Sequence, residues 1–296
     1  MIGELLAILA AICWAVSAVT YRTVLSRVSY FVVNLLRSVF AALFLFPVLM
    51  LTSGGMPSVN LSDLGILSFA AIINLAIGDS LFFIGLSKIG ISRTQPIASA
   101  YPLFSLILVI VVLGERPTLP MIVGTPLIVA GIIMISAHDD SISKFAKRHR
   151  VGSLGTLWAL GAAVCYSIGI VIYKLVLGGP HMGVVLASFV RPLVIIPFLA
   201  SIVMVLAPSQ IKKLTRKDLL TIGVAGVIDM GIGGLLLLGS LSLTDASKAI
   251  PLSSTTPLFA LIFASQLSSE KILIRVIVAT VLIVTGTILV TSTGSW

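Results

Sequence analysis

One pattern occurs twice in this chain, as SAYPLFSLILVIVVLGER at residues 99–116 and as STTPLFALIFASQLSSEK at residues 254–271. Each copy is a proline followed by an apolar run that ends at a glutamate and a basic residue. With a shift of 155 residues, segments 63–136 and 218–291 align without a gap and share 26 identities in 74 positions. Apolar composition alone does not explain matched Pro, Glu, Asp and Gly, so the chain contains an internal repeat.

The repeat extends toward the N-terminus with slightly smaller shifts. Cys13 matches Cys165 and Tyr21 matches Tyr173 at a shift of 152 residues, and Trp14 takes the place of Tyr166 at the same shift. Arg37 matches Arg191 at a shift of 154 residues. Short insertions in or near loops would produce this drift.

The composition is that of a membrane protein. Of the 296 residues, 58% are hydrophobic and 10% are charged, and the mean hydropathy is +1.19. Average soluble domains carry about 25% charged residues. A soluble core of this size has too little polar surface to face water, which excludes an ordinary cytosolic enzyme, a disordered chain and a DNA-binding domain.

Ten apolar segments have the length of roughly 20 residues that a bilayer-spanning helix needs. They are 3–20, 29–52, 62–86, 94–113, 118–137, 153–173, 182–207, 217–243, 248–267 and 272–292. We therefore predict an all-α polytopic membrane protein of ten transmembrane helices. Its first repeat would be residues 1–137 and its second 153–296, with a polar linker at 138–152 between them.

Five is odd, so two tandem five-helix repeats would cross the membrane in opposite directions. The basic residues agree: 14 lie in loops after the odd-numbered spans or at the adjoining span ends, and 3 lie at the corresponding places after the even-numbered spans. The net charge of +9 then reports topology rather than nucleic-acid binding, and both termini are predicted to be extracytoplasmic.

Proline pairs lie at matched positions in the fourth and ninth spans. Because proline inside a helix removes a backbone hydrogen bond and kinks the axis, we expect Pro96, Pro102, Pro251 and Pro257 to bend or gate these spans. The hydroxyl, amide and aromatic side chains beside them either line a solute pathway or bond to their own helix backbone. They are Gln95, Ser99, Tyr101, Ser253, Ser254, Thr255 and Thr256.

Few polar residues stand deep within the apolar runs. Asn74 lies near the middle of the third span and its repeat mate Asp229 near the middle of the eighth, while Asp79 has Gly234 as its mate. A carboxylate at the bilayer centre costs about 2.5–3.5 kcal/mol on insertion scales, so it should face a cavity or a partner. Either Asp79 or Asp229 binds a cationic group or carries a coupling proton, or each pairs with a neighbouring helix.

Other matched pairs have two interpretations. Arg37 and Arg191 either clamp an anionic group or anchor their helices, and matched placement favours anchoring. Trp14 and Tyr166 either line the cavity or pack. The sequence contains no nucleophile–base set, phosphate loop or metal-ligand spacing, so we expect neither an enzyme nor a cofactor.

The segments from Ser99 to Gly131 and from Ser254 to Gly286 resemble the EamA family of the drug/metabolite transporter superfamily. The resemblance implies inverted repeats around a central cavity, in a cell-membrane protein that transports by alternating access with a proton or a counter-metabolite. It implies a small polar solute such as an amino acid, metabolite or drug-like compound, and we expect efflux by a monomer or homodimer. The alternative is a membrane scaffold or sensor without transport.

A reporter fused after residue 296 tests the predicted orientation. Members of that family are usually drawn with cytoplasmic termini, whereas residues 1–4 contain no basic residue to retain the N-terminus inside. The reporter should read extracytoplasmic. A cytoplasmic signal would overturn the orientation and leave the repeat intact.

Overall fold

The computed structural model describes residues 1–25, 27–53, 59–89, 94, 97–136, 153–179, 182–211, 214–267 and 274–291. Within those ranges the chain forms helices joined by turns. The helices of the N-terminal half are α1 (Ile2–Leu25), α2 (Tyr30–Ser53), α3 (Leu61–Ala71), π1 (Ile72–Gly78), α4 (Asp79–Ile89), α5 (Tyr101–Leu113) and α6 (Leu119–Ser136). Those of the C-terminal half are α7 (Ser153–Leu177), α8 (Val184–Leu206), α9 (Pro208–Ile211), α10 (Arg216–Gly226), π2 (Val227–Gly233), α11 (Gly234–Leu243), α12 (Ala246–Ser253), α13 (Thr256–Leu267) and α14 (Ile274–Thr291).

Six of these helical stretches are long and apolar enough to cross a bilayer, and shorter apolar helices accompany them. The six are Ile2–Leu25, Tyr30–Ser53, Leu61–Phe82, Leu154–Leu177, Val184–Leu206 and Arg216–Leu243. Large apolar side chains such as Leu43, Ile107 and Val111 lie exposed on the outside. An all-helical protein with apolar residues on its outer face is a multi-pass membrane protein, as the composition predicts.

Two helices each contain a π-helical stretch, and the two stretches are repeat mates. The helix that begins at Leu61 passes through π1 at 72–78, and the helix that begins at Arg216 passes through π2 at 227–233. The offset is the same 155 residues that relates the two sequences. In a π stretch the backbone hydrogen bonds join residues five apart instead of four. Such stretches are frequent at functional sites. The two repeats therefore share this departure from α-helical geometry as well as their sequence.

The ninth predicted span is broken into two helices by a turn. α12 ends at Ser253, residues 254 and 255 form the turn, and α13 begins at Thr256. The first half has the equivalent turn at residues 99 and 100, just before α5. Pro102 and Pro257 stand at the second position of α5 and α13, where a missing N–H costs nothing, whereas Pro251 lies inside α12. Two of the prolines thus begin helices after a break instead of bending a continuous one.

α6 and α14 pack with their backbones in contact. A Cβ atom at Gly286 would lie 2.6 Å from the carbonyl oxygen of Gly124, and one at Gly131 would lie 2.7 Å from that of Ala279. Residue numbers rise from Gly124 to Gly131 along α6 while those of their contacts fall from Gly286 to Ala279 along α14, so the two helices are antiparallel. They occupy equivalent places in the two repeats, and equivalent helices that run in opposite directions are what inverted repeats require.

Helix ends are capped by charged side chains from distant segments. The carboxylate of Glu115 accepts hydrogen bonds from the backbone N–H groups of Ala246 (2.8 Å) and Ser247 (2.9 Å) at the start of α12. Lys174 donates to the carbonyls of Leu241 (2.8 Å) and Thr244 (2.9 Å) at the end of α11. Each charge has the sign that its helix end favours, which fixes α12 and α11 against the rest of the bundle.

Gly286→Leu should lower the unfolding temperature of the purified protein in detergent. The new side chain would push α14 away from α6, and overpacking of this kind costs about 1–3 kcal/mol. Gly65→Leu is the matched control, because nothing lies within 4 Å of a Cβ atom at that position. Equal unfolding temperatures for the two variants would contradict the close backbone contact.

Candidate functional site

Three ionisable side chains from separate helices meet in the interior. Arg37 of α2 donates from Nη1 to Oδ2 of Asp229 in π2 at 2.8 Å, and from Nη2 to Oδ2 of Asp79 at the start of α4. The exposed fractions of these side chains are only 12–13%. We call Arg37, Asp79 and Asp229 the ion-pair cluster.

Neutral side chains complete the hydrogen bonding of the cluster. The hydroxyl of Tyr166 donates to Oδ1 of Asp79 at 2.8 Å, and that of Tyr21 donates to Oδ2 of Asp229 at 3.1 Å. Arg37 also donates from Nε to Oδ1 of Asn34 at 2.8 Å. Each carboxylate thus has the guanidinium and a phenol as donors, which compensates much of the cost of burying it.

The π stretches and small residues bring these side chains together. Asp229 lies within π2, and Asp79 follows directly after π1. A Cβ atom at Gly226, just before π2, would lie 2.8 Å from Cα of Arg37. Only glycine allows α10 to approach α2 so closely, and this approach brings Arg37 within reach of Asp229.

Trp14 and Tyr166 occupy equivalent positions against the two π stretches. Trp14 lies on Gly233, where a Cβ atom would be 2.9 Å from its Nε1, and Nε1 donates to the backbone carbonyl of Asp229 at 3.2 Å. Tyr166 lies on Gly78, where a Cβ atom would be 2.9 Å from Cε1 of its ring. Both aromatic residues therefore stand at the cluster, and each also packs against a helix.

Asn74 lies in π1 at the place that matches Asp229, but its role differs. It is buried, and its amide donates to the backbone carbonyl of Tyr166 at 3.2 Å. This bond fixes α7 beside π1. Asn74 thus supports the residue that binds Asp79.

The residues around the broken ninth span contact the cluster through Tyr101. The hydroxyl of Tyr101 is 3.0 Å from that of Ser253, and its ring meets the ring of Tyr166 edge to face with centroids 6.3 Å apart. Ser254 and Thr255 donate to their own backbone, to the carbonyls of Pro251 and Leu252 at 2.7 Å. Ser99 is buried, and Gln95 and Pro96 lie outside the described residues.

The cluster has one more carboxylate than it has guanidinium groups. Two carboxylates beside one cation in a region of low dielectric leave an excess negative charge when all three groups are ionised. A proton or a cationic group of a solute can neutralise that charge. The arrangement can therefore bind and release a positive charge without exposing Arg37.

Sequence reasoning selected Asp79 and Asp229 but missed their shared partner. It left Arg37 either to clamp an anionic group or to anchor its helix, favoured anchoring because Arg37 matches Arg191, and gave Tyr21 no role. The matched Tyr21 and Tyr173 were a usable signal, because a tyrosine kept in both halves of an apolar helix implies a polar partner.

Arg191 has surroundings unlike those of its mate. It is 96% buried, since its exposed fraction is 4%, and its guanidinium carbon lies 4.4 Å from the centroid of the Tyr173 ring. Within the described parts of the chain, no carboxylate lies within 4 Å of its guanidinium, and its Nε has no hydrogen-bond partner.

Comparison with known proteins places this fold in a family. Residues 1–137 and 153–292 each match the EamA-like transporter family. A protein of Archaeoglobus fulgidus named as an uncharacterized transporter is 24% identical over 289 residues, which are 98% of each chain. A crystal structure that shares 18% identity superposes with a TM-score of 0.78 over 98% of this chain and 97% of the other, which shows the likeness of the fold. The two matched segments together cover nearly the whole sequence, so the chain belongs to the EamA-like transporter family.

Proposed function

We propose that this protein is a secondary transporter that moves a small polar organic solute across the cell membrane by alternating access, in the direction of efflux. One observation carries the proposal: the ion pair between Arg37 and Asp229 joins the first repeat to the second in the interior of the helical bundle. Transporters built from inverted repeats bind solute near the midplane, where the two repeats meet.

The cluster divides unequally between the repeats. Arg37 and Asp79 both belong to the first repeat, whereas Asp229 belongs to the second. If the repeats rock against each other, the pair between Arg37 and Asp79 moves as one body and the pair between Arg37 and Asp229 opens. Asp79 then prevents the guanidinium from being stranded without a partner, so the motion avoids the full cost of an unpaired buried charge.

The excess carboxylate supplies a means of coupling. Protonation of Asp229 would remove the charge that attracts Arg37 across the repeat interface. A proton taken up from one side would thus favour separation of the repeats there, and its loss would favour closure. A cationic group on a counter-metabolite would act in the same way.

The proposal also includes the arrangement of the spans and the residues that line the pathway. The ten spans comprise two inverted repeats joined by the linker at 138–152, with both termini outside the cytoplasm. Antiparallel α6 and α14 support the inversion. The turns at 99–100 and 254–255 lie where each repeat has its broken span, and we assign the pathway to the side chains around them. This assignment covers Trp14, Asn74, Asp79, Gln95, Ser99, Tyr101, Tyr166, Asp229, Ser254 and Thr255, with gating by Pro96, Pro102, Pro251 and Pro257.

A second candidate is a membrane scaffold or sensor without transport. The hydrogen bonds of Asp79 and Asp229 favour it, because both carboxylates are bonded to protein groups in this structure. Ser254 and Thr255 are likewise bonded to their own backbone. A flux measurement separates the two candidates.

Purified protein in proteoliposomes should release preloaded solute faster than vesicles that lack protein. The panel would contain amino acids, sugar phosphates, nucleotide sugars and cationic drugs, and each class would be tested with and without a proton gradient. Orientation in the vesicles would be fixed by protease access to the linker. No flux of any class by folded protein would reject transport and leave the scaffold.

Asp79→Asn and Asp229→Asn should each abolish proton-gradient-driven flux and leave solute exchange measurable. Each variant removes the excess carboxylate but retains one anionic partner for Arg37, so one negative charge then balances the one guanidinium. Asp63→Asn is the matched control, because Asp63 stands in the first turn of α3 outside the cluster. Unchanged dependence on pH in both cluster variants would refute proton coupling.

A further inference from the structure

The repeat makes the surroundings of Arg37 and Arg191 directly comparable. In the first half, Arg37 has Asp79 and Asp229 as partners. The residues that match these two carboxylates are Gly234 and Asn74. The surroundings of Arg191 therefore keep the tyrosine neighbour and lack both acids.

Arg191 is nevertheless buried as deeply as a core residue. Its exposed fraction is 4%, and the ring of Tyr173 covers one face of the guanidinium. Neither Nε of Arg191 nor the hydroxyl of Tyr173 has a hydrogen-bond partner in the part of the chain that the structure describes. A buried guanidinium without an anion is costly, so this site lacks a group that its mate possesses.

Gly234 leaves room beside Arg191 for the Cβ atom of a side chain. A Cβ atom built there would lie 3.7 Å from Nη1 of Arg191, at ordinary van der Waals distance, with no other described atom within 4 Å outside its own helix backbone. In the first half, the side chain of Asp79 fills the equivalent place and bonds to Arg37. Nη1 of Arg191 thus faces the position that a side chain at residue 234 would occupy, and no carboxylate of a described residue lies within 4 Å of this guanidinium.

We propose that Arg191, with the space left by Gly234, binds an oxyanion of the transported solute, a carboxylate or a phosphate. The planar guanidinium presents paired N–H donors that match such an oxyanion at two points. The solute would supply the charge that Asp79 supplies in the other half. This inference rests on the proposed transport function for its identification of the ligand as the transported solute.

Gly234→Asp and Gly234→Asn test whether Arg191 lacks an anion. The two side chains have nearly the same shape, and only aspartate carries the charge. Gly234→Asp should unfold at a higher temperature than Gly234→Asn, because it rebuilds the ion pair of the first half. If Gly234→Asp is no more stable than Gly234→Asn, Arg191 does not need an anion and the proposal is overturned.

Soluble probes then test the chemistry of the ligand. Succinate and glycerol 3-phosphate, added to wild-type protein in detergent, should raise the unfolding temperature more than succinamide and glycerol do. Gly234→Asp and Arg191→Gln should remove this difference. Arg191→Lys, which keeps the charge and loses the two-point contact, should weaken anion binding by about 10- to 100-fold. Stabilisation of Arg191→Gln by the anions to the wild-type extent would contradict the assignment.

Failure of this inference can be told apart from failure of transport. If vesicles with wild-type protein carry neutral or cationic solutes and Arg191→Gln carries them equally well, the protein is a transporter and the anion site is wrong. If anions stabilise the wild type through Arg191 but no solute crosses the membrane, the site stands and transport is wrong.

Discussion

The guanidinium of Arg37 between two carboxylates is the interaction on which the rest of the structure depends. It connects α2 to α4 and to π2, and through Tyr21 and Tyr166 it reaches α1 and α7. Removing one partner of a buried ion pair typically costs about 3–5 kcal/mol. The features around it serve this one contact: Gly226 permits the approach of α10, and the π stretches carry or directly precede both carboxylates.

Duplication of one helical unit explains the scaffold, and the departures from duplication include both acids of the ion-pair cluster. Helix breaks, π stretches and the glycine contacts of α6 and α14 recur in both halves, as expected of parts that the fold requires. The acids do not recur. Arg37 pairs with two carboxylates, whereas Arg191 has no carboxylate within 4 Å in the described part of the chain. Equivalent arginines of the two repeats therefore have different surroundings.

The sequence predicted the helical membrane architecture and the repeat because both follow from local composition and from matched residues. It also located Asp79 and Asp229, since a carboxylate in an apolar run is conspicuous on insertion energy alone. It did not predict that Arg37 joins them, because a contact between residues 192 positions apart depends on helix packing. The π stretches were equally hidden, because their apolar sequence differs little from that of an α-helix. Pro102 and Pro257 were expected to bend helices, but each follows a turn, where proline favours the start of a helix.

The distance between the two repeats tests most directly whether the pair of Arg37 and Asp229 restrains them. Spin labels at Val59, 40% exposed before α3, and at Gly178, exposed after α7, would report it by pulsed electron paramagnetic resonance, with Cys13 and Cys165 replaced by serine. The account predicts that Asp229→Asn shifts the distance distribution and that Asp63→Asn leaves it as in the wild type. An unchanged distribution in Asp229→Asn would contradict the claim that this ion pair governs the movement of the repeats.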